Sequence, residues 1–234
     1  MGIRTETGEP WMLLSKLGER EHLESLRKGL LYMNSLAHFQ SLEADQARGD
    51  RREGIDYMYQ AAECEFVLDP GIPGSDKIRV SATSGLAGVR VRLQRTSACN
   101  IFCMLAITKP IEGPVFPKCH TWPGDSFVLF TNTQEFLSRV ATAAKHRGLE
   151  GEGRLVEYYD ESNYSGEVGR FRKRASFSYQ SEYRIALESG VQGPFSLQIG
   201  DLSDITSEAF PLAVADDVLK FRPEDFEAAG LCWD

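Results

Sequence analysis

The sequence predicts an α+β fold for one domain over residues 1–234, with a mixed or antiparallel sheet at its core. Three observations carry that prediction. Apolar or alternating runs of strand length recur along the chain, few segments have long helical periodicity, and no clear linker divides the sequence. Alternation of strands with long helices would point instead to parallel βαβ units.

Composition narrows the class further. The 234 residues are 42% hydrophobic and 26% charged, close to the globular average, which excludes disorder, collagen-like repeats and coiled coil for the chain as a whole. Thirty-four acids against 26 bases leave a net charge of −8, the opposite of what a nucleic-acid-coating protein carries. No apolar run approaches the roughly 20 residues that cross a bilayer. Met1-Gly2-Ile3-Arg4-Thr5-Glu6 has no apolar stretch behind its charge, so neither a membrane partner nor a secretory leader is expected. The five cysteines (Cys64, Cys99, Cys103, Cys119, Cys232) are odd in number and scattered, which suits reduced thiols in a cytoplasmic protein. Cys99 and Cys103 have a spacing that zinc allows, but Cys103 sits inside the apolar run Ile101 to Ile107, so no metal is expected.

Each element has its own signal. Trp11 to Leu17 is short, apolar and follows Pro10, which suits a first strand. Glu21 to Gly29 spaces Leu23 and Leu26 at i, i+3 and closes on Arg27, Lys28 and Gly29, a short helix with its stop signal. Leu30 to Ser35 reads as a second strand, and Leu36 to Ala47 as a helical or loop segment. Arg48 to Gly54 is too charged and Gly-rich for core and reads as a solvated turn. Ala62 to Leu68 and Lys77 to Ser81 are strands across the Asp69-Pro70-Gly71-Ile72-Pro73-Gly74 turn cluster. Val89 to Gln94 alternates, with Arg90 and Arg92 on one face. Ile101 to Ile107 and Ser126 to Phe130 are apolar enough for central strands. Thr133 to His146 gathers Phe136, Leu137, Val140 and Ala144 on one helical face, and Gly148 ends it. Leu155 to Tyr159, Tyr183 to Leu187 and Pro194 to Ile199 complete the strands.

Familiar site motifs are missing. There is no Gly-x-Gly-x-x-Gly, no Walker-type Gly-Lys-Ser/Thr, no His-Glu-x-x-His and no Gly-x-Ser-x-Gly. The densest chemistry lies in Phe171-Arg172-Lys173-Arg174-Ala175-Ser176-Phe177-Ser178-Tyr179-Gln180-Ser181-Glu182-Tyr183-Arg184-Ile185, a basic cluster leading through aromatics to Gln-x-Glu. On an alternating strand Gln180, Glu182 and Arg184 share a face. A carboxylate between an amide and a guanidinium is held ionised and oriented. The plainer reading of Glu182 and Arg184 is a solvated surface pair.

Leu26-Arg27-Lys28-Gly29-Leu30-Leu31-Tyr32-Met33-Asn34-Ser35-Leu36 with Phe39, and Phe171 through Lys173, Phe177, Tyr179 and Glu182-Tyr183-Arg184, resemble the two ends of a widespread bacterial family of unknown function. Their order is also similar to that of the ADP-ribosyltransferase superfamily. That resemblance implies a split-sheet core and NAD as substrate, with no metal. It implies Glu182 as catalytic residue, Gln180 as the group orienting the nucleophile, and Lys16, Tyr32, Asn34, Ser35 and Arg184 around the cofactor. Lys16 is the nearest basic residue to the Arg or His of the family's first strand, and Ser81-Ala82-Thr83-Ser84 carries an Ala inserted in the family's Ser-Thr-Ser.

Arg90, Arg92, Arg172 and Lys173 are candidates for binding a macromolecular acceptor, a protein or a nucleic acid, because a guanidinium fork suits phosphate. The expected activity is transfer of ADP-ribose to a protein or nucleic acid, in a toxin, phage or phage-defence setting. The alternative is an interaction protein on the same fold without NAD chemistry. A metal-dependent nuclease is weaker, for want of a partnering Asp.

Overall fold

Apolar side chains with a period of two give strands, and the described residues form seventeen of them with four α-helices. The computed structural model describes residues 3–5, 12–41, 54–60, 64, 66–80, 90–93, 99–108, 122–219 and 231–233. In chain order the first elements are β1 (Ile3–Thr5), β2 (Leu13–Gly18), α1 (Arg20–Arg27), β3 (Leu30–Ser35) and α2 (Leu36–Ser41). Next come β4 (Tyr57–Gln60), β5 (Phe66–Leu68), β6 (Ile78–Val80), β7 (Arg90–Leu93), β8 (Asn100–Ile107) and β9 (Ser126–Phe130). They are followed by α3 (Thr133–His146), β10 (Gly151–Leu155), β11 (Glu157–Tyr159), β12 (Gly166–Glu167) and β13 (Arg172–Arg174). The last are β14 (Glu182–Leu187), β15 (Phe195–Gln198), β16 (Phe210–Pro211), α4 (Ala215–Val218) and β17 (Leu231–Trp233).

Read as one domain in sequence, the chain gathers into two compact units. The larger takes residues 1–51, 98–156 and 180–234, and the smaller takes 52–97 and 157–179. The larger unit holds an eight-stranded sheet, ordered β10-β14-β8-β2-β9-β16, with β3 on β8 and β15 on β3. Every pairing in that sheet is antiparallel, so the α+β class holds.

Both sheet faces are covered. On one, Leu14, Phe102, Met104, Val128, Phe130, Tyr183 and Ile185 pack with Leu23 and Leu26 of α1 and Phe136, Val140 and Ala144 of α3. On the other, Leu17, Leu105, Ile107 and Phe127 pack under Ala215 and Leu219, with Trp122 and Leu212 against them. Asn132 caps α3 by accepting the Glu135 N–H at 3.0 Å, and Lys145 and His146 sit in its last turn, where cations favour the helix dipole. No helix among the described residues is long and apolar enough to cross a membrane.

The smaller unit builds β12-β4-β7, the parallel pair β11-β13, and the β5-β6 hairpin. Ile55, Met58, Tyr159 and Val168 form its core.

Four details depart from the sequence reading. The expected strand Leu155 to Tyr159 is two strands: the Val156 N–H makes the last rung to Glu182 O at 2.8 Å, and β11 then pairs with β13 in the smaller unit. Gly151–Leu155, without an apolar pattern, is a strand all the same. Tyr57–Gln60, unassigned in the sequence, is a strand as well. Of the expected strand Ala62 to Leu68, Phe66–Leu68 is β5 and Cys64 is outside it, while residues 61–63 and 65 lie outside the described residues, as do Ser81 to Ser84 and residues 48–53.

Candidate active site

Glu182 opens β14, and its position is set by the turn before it. Ala175–Gln180 is a 3-10 turn rather than extended chain, so Gln180 does not share a strand face with Glu182. Ser181 then takes φ 39°, an uncommon conformation for a residue with a Cβ, which stores strain. Two bonds hold it: Ser181 Oγ donates to Ala106 O at 2.6 Å, and the Ala106 N–H donates to Ser181 O at 2.7 Å. The 3-10 geometry is lost there and β14 begins.

From Glu182 onward the period-two rule holds. Tyr183, Ile185 and Leu187 enter the α1/α3 core, and Glu182 and Arg184 point to the opposite face. Arg184 Nε donates to Glu182 Oε1 at 2.7 Å. Arg184 has no exposed surface and Glu182 only 5%, so the pair is buried and not the solvated ladder that spacing suggests. All six residues of β14 are buried because β8 and β10 flank the strand and both faces are covered. Glu182 lies opposite Leu105 of β8, which lies opposite Ser15 of β2, in one cross-strand row. Ser15 is fully buried and donates its Oγ proton to Val128 O at 3.1 Å. Burial also pushes the Tyr183 phenol up from its ordinary value, since the phenolate would lose its hydration.

A buried ion pair is a poor way to stabilise a sheet. Desolvating both charges costs several kcal/mol per ion, and apolar residues of like volume would serve as well or better. Its presence at the head of a central strand marks a functional candidate.

Lys16 is placed elsewhere. Its strand neighbours Leu14 and Val128 belong to the α1/α3 core, so it lies on the sheet face opposite Glu182. Along one edge of β8 the partner changes: β2 pairs with Leu105 to Ile107, and β3 with Asn100 and Ile101. At the split between them Lys16 Nζ donates to Cys103 O at 2.7 Å and stands 4.6 Å over the Phe102 ring. The ammonium therefore closes a gap in the ladder, where β8 would otherwise present a carbonyl without a strand opposite.

Tyr32 and Asn34 do share the Glu182 face, because Asn34 pairs with Ile101, which pairs with Ala186. Two strand spacings and four residues of rise put Asn34 and Glu182 about 16 Å apart at Cα. Tyr32 is 53% exposed. Ser35 is buried and its Oγ accepts the His38 N–H at 3.3 Å, so it caps α2. A depression of about 420 Å³ lies between α3 and β15, lined by Arg139, His146, Arg147 and Gln198 among others, and none of the expected site residues lines it.

The basic cluster also divides. On β13 Arg172 bonds Glu157 at 2.8 Å, whereas Lys173 turns inward, 6% exposed, with its Nζ 5.7 Å over the Phe177 ring. Arg90 and Arg92 sit opposite Gln60 and Met58 in the β7–β4 register, and their side chains lie outside the described residues. Among the described residues no group of three or more His, Cys, Asp or Glu could hold a metal. Sequence reasoning missed Ser181 and the role of Ser15. A Ser with positive φ has no local signature, and Ser15 is legible only once Leu105 is known to lie opposite.

The site thus defines a class: an α+β protein whose split antiparallel sheet carries a buried carboxylate–guanidinium pair at the start of a central strand. Beyond that class, comparison with known proteins finds no matching family model, no matching curated protein and no matching solved structure.

Proposed function

We propose that this chain is an ADP-ribosyltransferase-like enzyme of the cytoplasm that uses NAD and modifies a macromolecular acceptor through Glu182. The observation that supports this reading is the buried Glu182–Arg184 pair at the head of β14, in the sheet that also holds β2 and β3. In the reaction the bond from ribose C1′ to the nicotinamide nitrogen breaks, and nicotinamide leaves with the bonding electrons. Positive charge develops on the ribose, and a carboxylate accepting a hydrogen bond from the 2′-hydroxyl stabilises it. The acceptor's nucleophile forms the new bond to C1′ and releases its proton. Arg184, whose Nε donates to Glu182 Oε1, aims the carboxylate. A toxin, phage or phage-defence setting suits such chemistry.

A second reading, an interaction protein without NAD chemistry, draws on two observations. Glu182 is almost wholly covered, and Lys16 lies on the other sheet face with its ammonium on Cys103 O. NAD titration followed by a nicotinamide-release assay separates the two. The enzymatic reading expects binding and a loss of about 10²-fold or more in release for Glu182→Gln, with the melting curve confirming a folded variant. Turnover unchanged by Glu182→Gln removes Glu182 from the chemistry, and no NAD binding at millimolar concentration leaves the interaction protein.

A further inference from the structure

Among the described residues strand β10 ends the sheet, pairing with β14 on one side only. Its five residues, Gly151, Glu152, Gly153, Arg154 and Leu155, are all exposed, unlike β15 with its buried Leu197 or the two-residue β16 with Pro211. The backbone direction follows from the flanking rungs. Val156 donates to Glu182 O at 2.8 Å, and the Glu150 carbonyl accepts from Glu188 at 2.8 Å. Even-numbered residues therefore turn their N–H and C=O toward β14, and Gly151, Gly153 and Leu155 turn theirs outward. Among the described residues no strand pairs with that outer edge.

The two glycines are what keep the strand this bare. A Cβ on Gly153 would meet Tyr183 Oη at 2.8 Å, and one on Gly151 would collide with Leu187 Cδ2. Side chains of β14 lean over the places where β10 has none. On the other face Glu152 and Arg154 stand two apart, with Oε1 and Nε 3.4 Å from each other and both side chains about half exposed.

We propose that β10 pairs antiparallel with β10 of a second copy of this chain, about a two-fold axis at Gly153, joining two sheets into one. Charge selects that register. Centred on Gly153, Glu152 lies opposite Arg154 of the second copy, and Arg154 opposite its Glu152. A slip of two residues one way sets Glu152 against Glu152, and the other way Arg154 against Arg154, both destabilising. The hydrogen bonds agree with the charges. The outward residues meet as Gly153 with Gly153 and Gly151 with Leu155, exchanging N–H and C=O. The Glu152–Arg154 contacts fall at the non-hydrogen-bonded sites, where side chains approach most closely. A contact of five residues a side is small for a stable interface, so the dimer is concentration-dependent.

Sedimentation across roughly 5–200 µM, a range chosen for a small interface, tests the proposal. The wild-type chain is expected to shift toward twice its 26.2 kDa as concentration rises. Glu152→Arg alone and Arg154→Glu alone each weaken dimerisation roughly tenfold or more. Mixing the two variants restores dimers, since each then faces its opposite charge, and the double exchange Glu152→Arg/Arg154→Glu dimerises like wild type. Both positions are exposed, and unchanged melting curves confirm that the variants fold. Amide exchange of Gly153 and Leu155 slows on dimerisation in the wild type. A wild-type chain that stays monomeric, a dimer indifferent to single reversals, or a mixture that fails to associate overturns the proposal.

Discussion

Removing one partner of the Glu182–Arg184 pair takes from the other its buried 2.7 Å ionic contact, and the loss should be large. Arg184 is wholly buried, Glu182 is 5% exposed, and their contact is 2.7 Å. Solvent screening is therefore slight, and the figure for breaking buried pairs applies. Arg184→Met, similar in length and without charge, is expected to cost about 3–5 kcal/mol. For a chain of this size that lowers Tm by about 6–20 °C. Glu182→Met is expected to cost a similar amount, because the buried guanidinium then loses its 2.7 Å contact with the carboxylate. The informative variant is the double one. With both charges gone, neither side chain is left as half of a broken pair beside Leu105 of β8, and the double variant should be more stable than either single variant. The coupling from the full cycle is expected to be about 3 kcal/mol. Urea unfolding followed by far-UV circular dichroism measures each corner, with amide exchange along β14 identifying the transition that belongs to the larger unit. Strict additivity, with the double variant losing the sum of the single losses, refutes the argument that the two charges offset each other. The double variant also separates roles: folded but lacking its carboxylate, it should release no nicotinamide if Glu182 is catalytic.

Acid stability should depend on Asp204. Arg139 grips its carboxylate at 2.9 and 2.6 Å, and this hydrogen-bonded pair holds the Asp204 carboxyl below the usual carboxylate value. The folded state then binds its proton at lower pH than the unfolded chain. The stabilisation is full above the unfolded value and is lost as pH falls through the depressed one. Asp204→Asn should flatten that part of the Tm-against-pH curve below pH ~4; coincident wild-type and variant curves there contradict the assignment. Two helix-ending glycines should respond differently to alanine. Gly148 after α3 has φ 66° with open space around its missing Cβ, so Gly148→Ala costs only the left-handed strain of about 1–2 kcal/mol. Gly29 after α1 has φ 92° and a Cβ there would strike the Gly200 backbone, so Gly29→Ala should cost clearly more. Equal losses in urea unfolding would show that the close approach carries no weight.

Much of the fold was legible because local rules decided it. Thr133–His146 carries its apolar stripe, its Asn132 cap and its closing Gly148 in one stretch, and the helix has those bounds. Leu30–Ser35, Ser126–Phe130 and the apolar run of β8 announce strands by their side chains alone. Period-two alternation likewise put Glu182 and Arg184 on one face. What it could not say was whether that face met water. β8 and β10 close the strand's two edges, and Leu105 on that face packs in a cluster with Ala215 and Leu219, far away in sequence. The same limit hid β10. Gly151, Glu152 and Gly153 have neither apolar pattern nor β propensity, and they form a strand because β14 offers an edge and its Tyr183 and Leu187 fill the glycines' empty places. Lys16 shows the limit most plainly. Its sequence gave a basic residue on a first strand, and alternation with Leu14 was readable. Only the register of β2 against β8 and β9 placed it across the sheet from Glu182 and set its ammonium on Cys103 O. Which residues share a face follows from backbone geometry within one strand. Which face is buried, and which residue stands opposite, is decided by pairings between strands far apart in the chain.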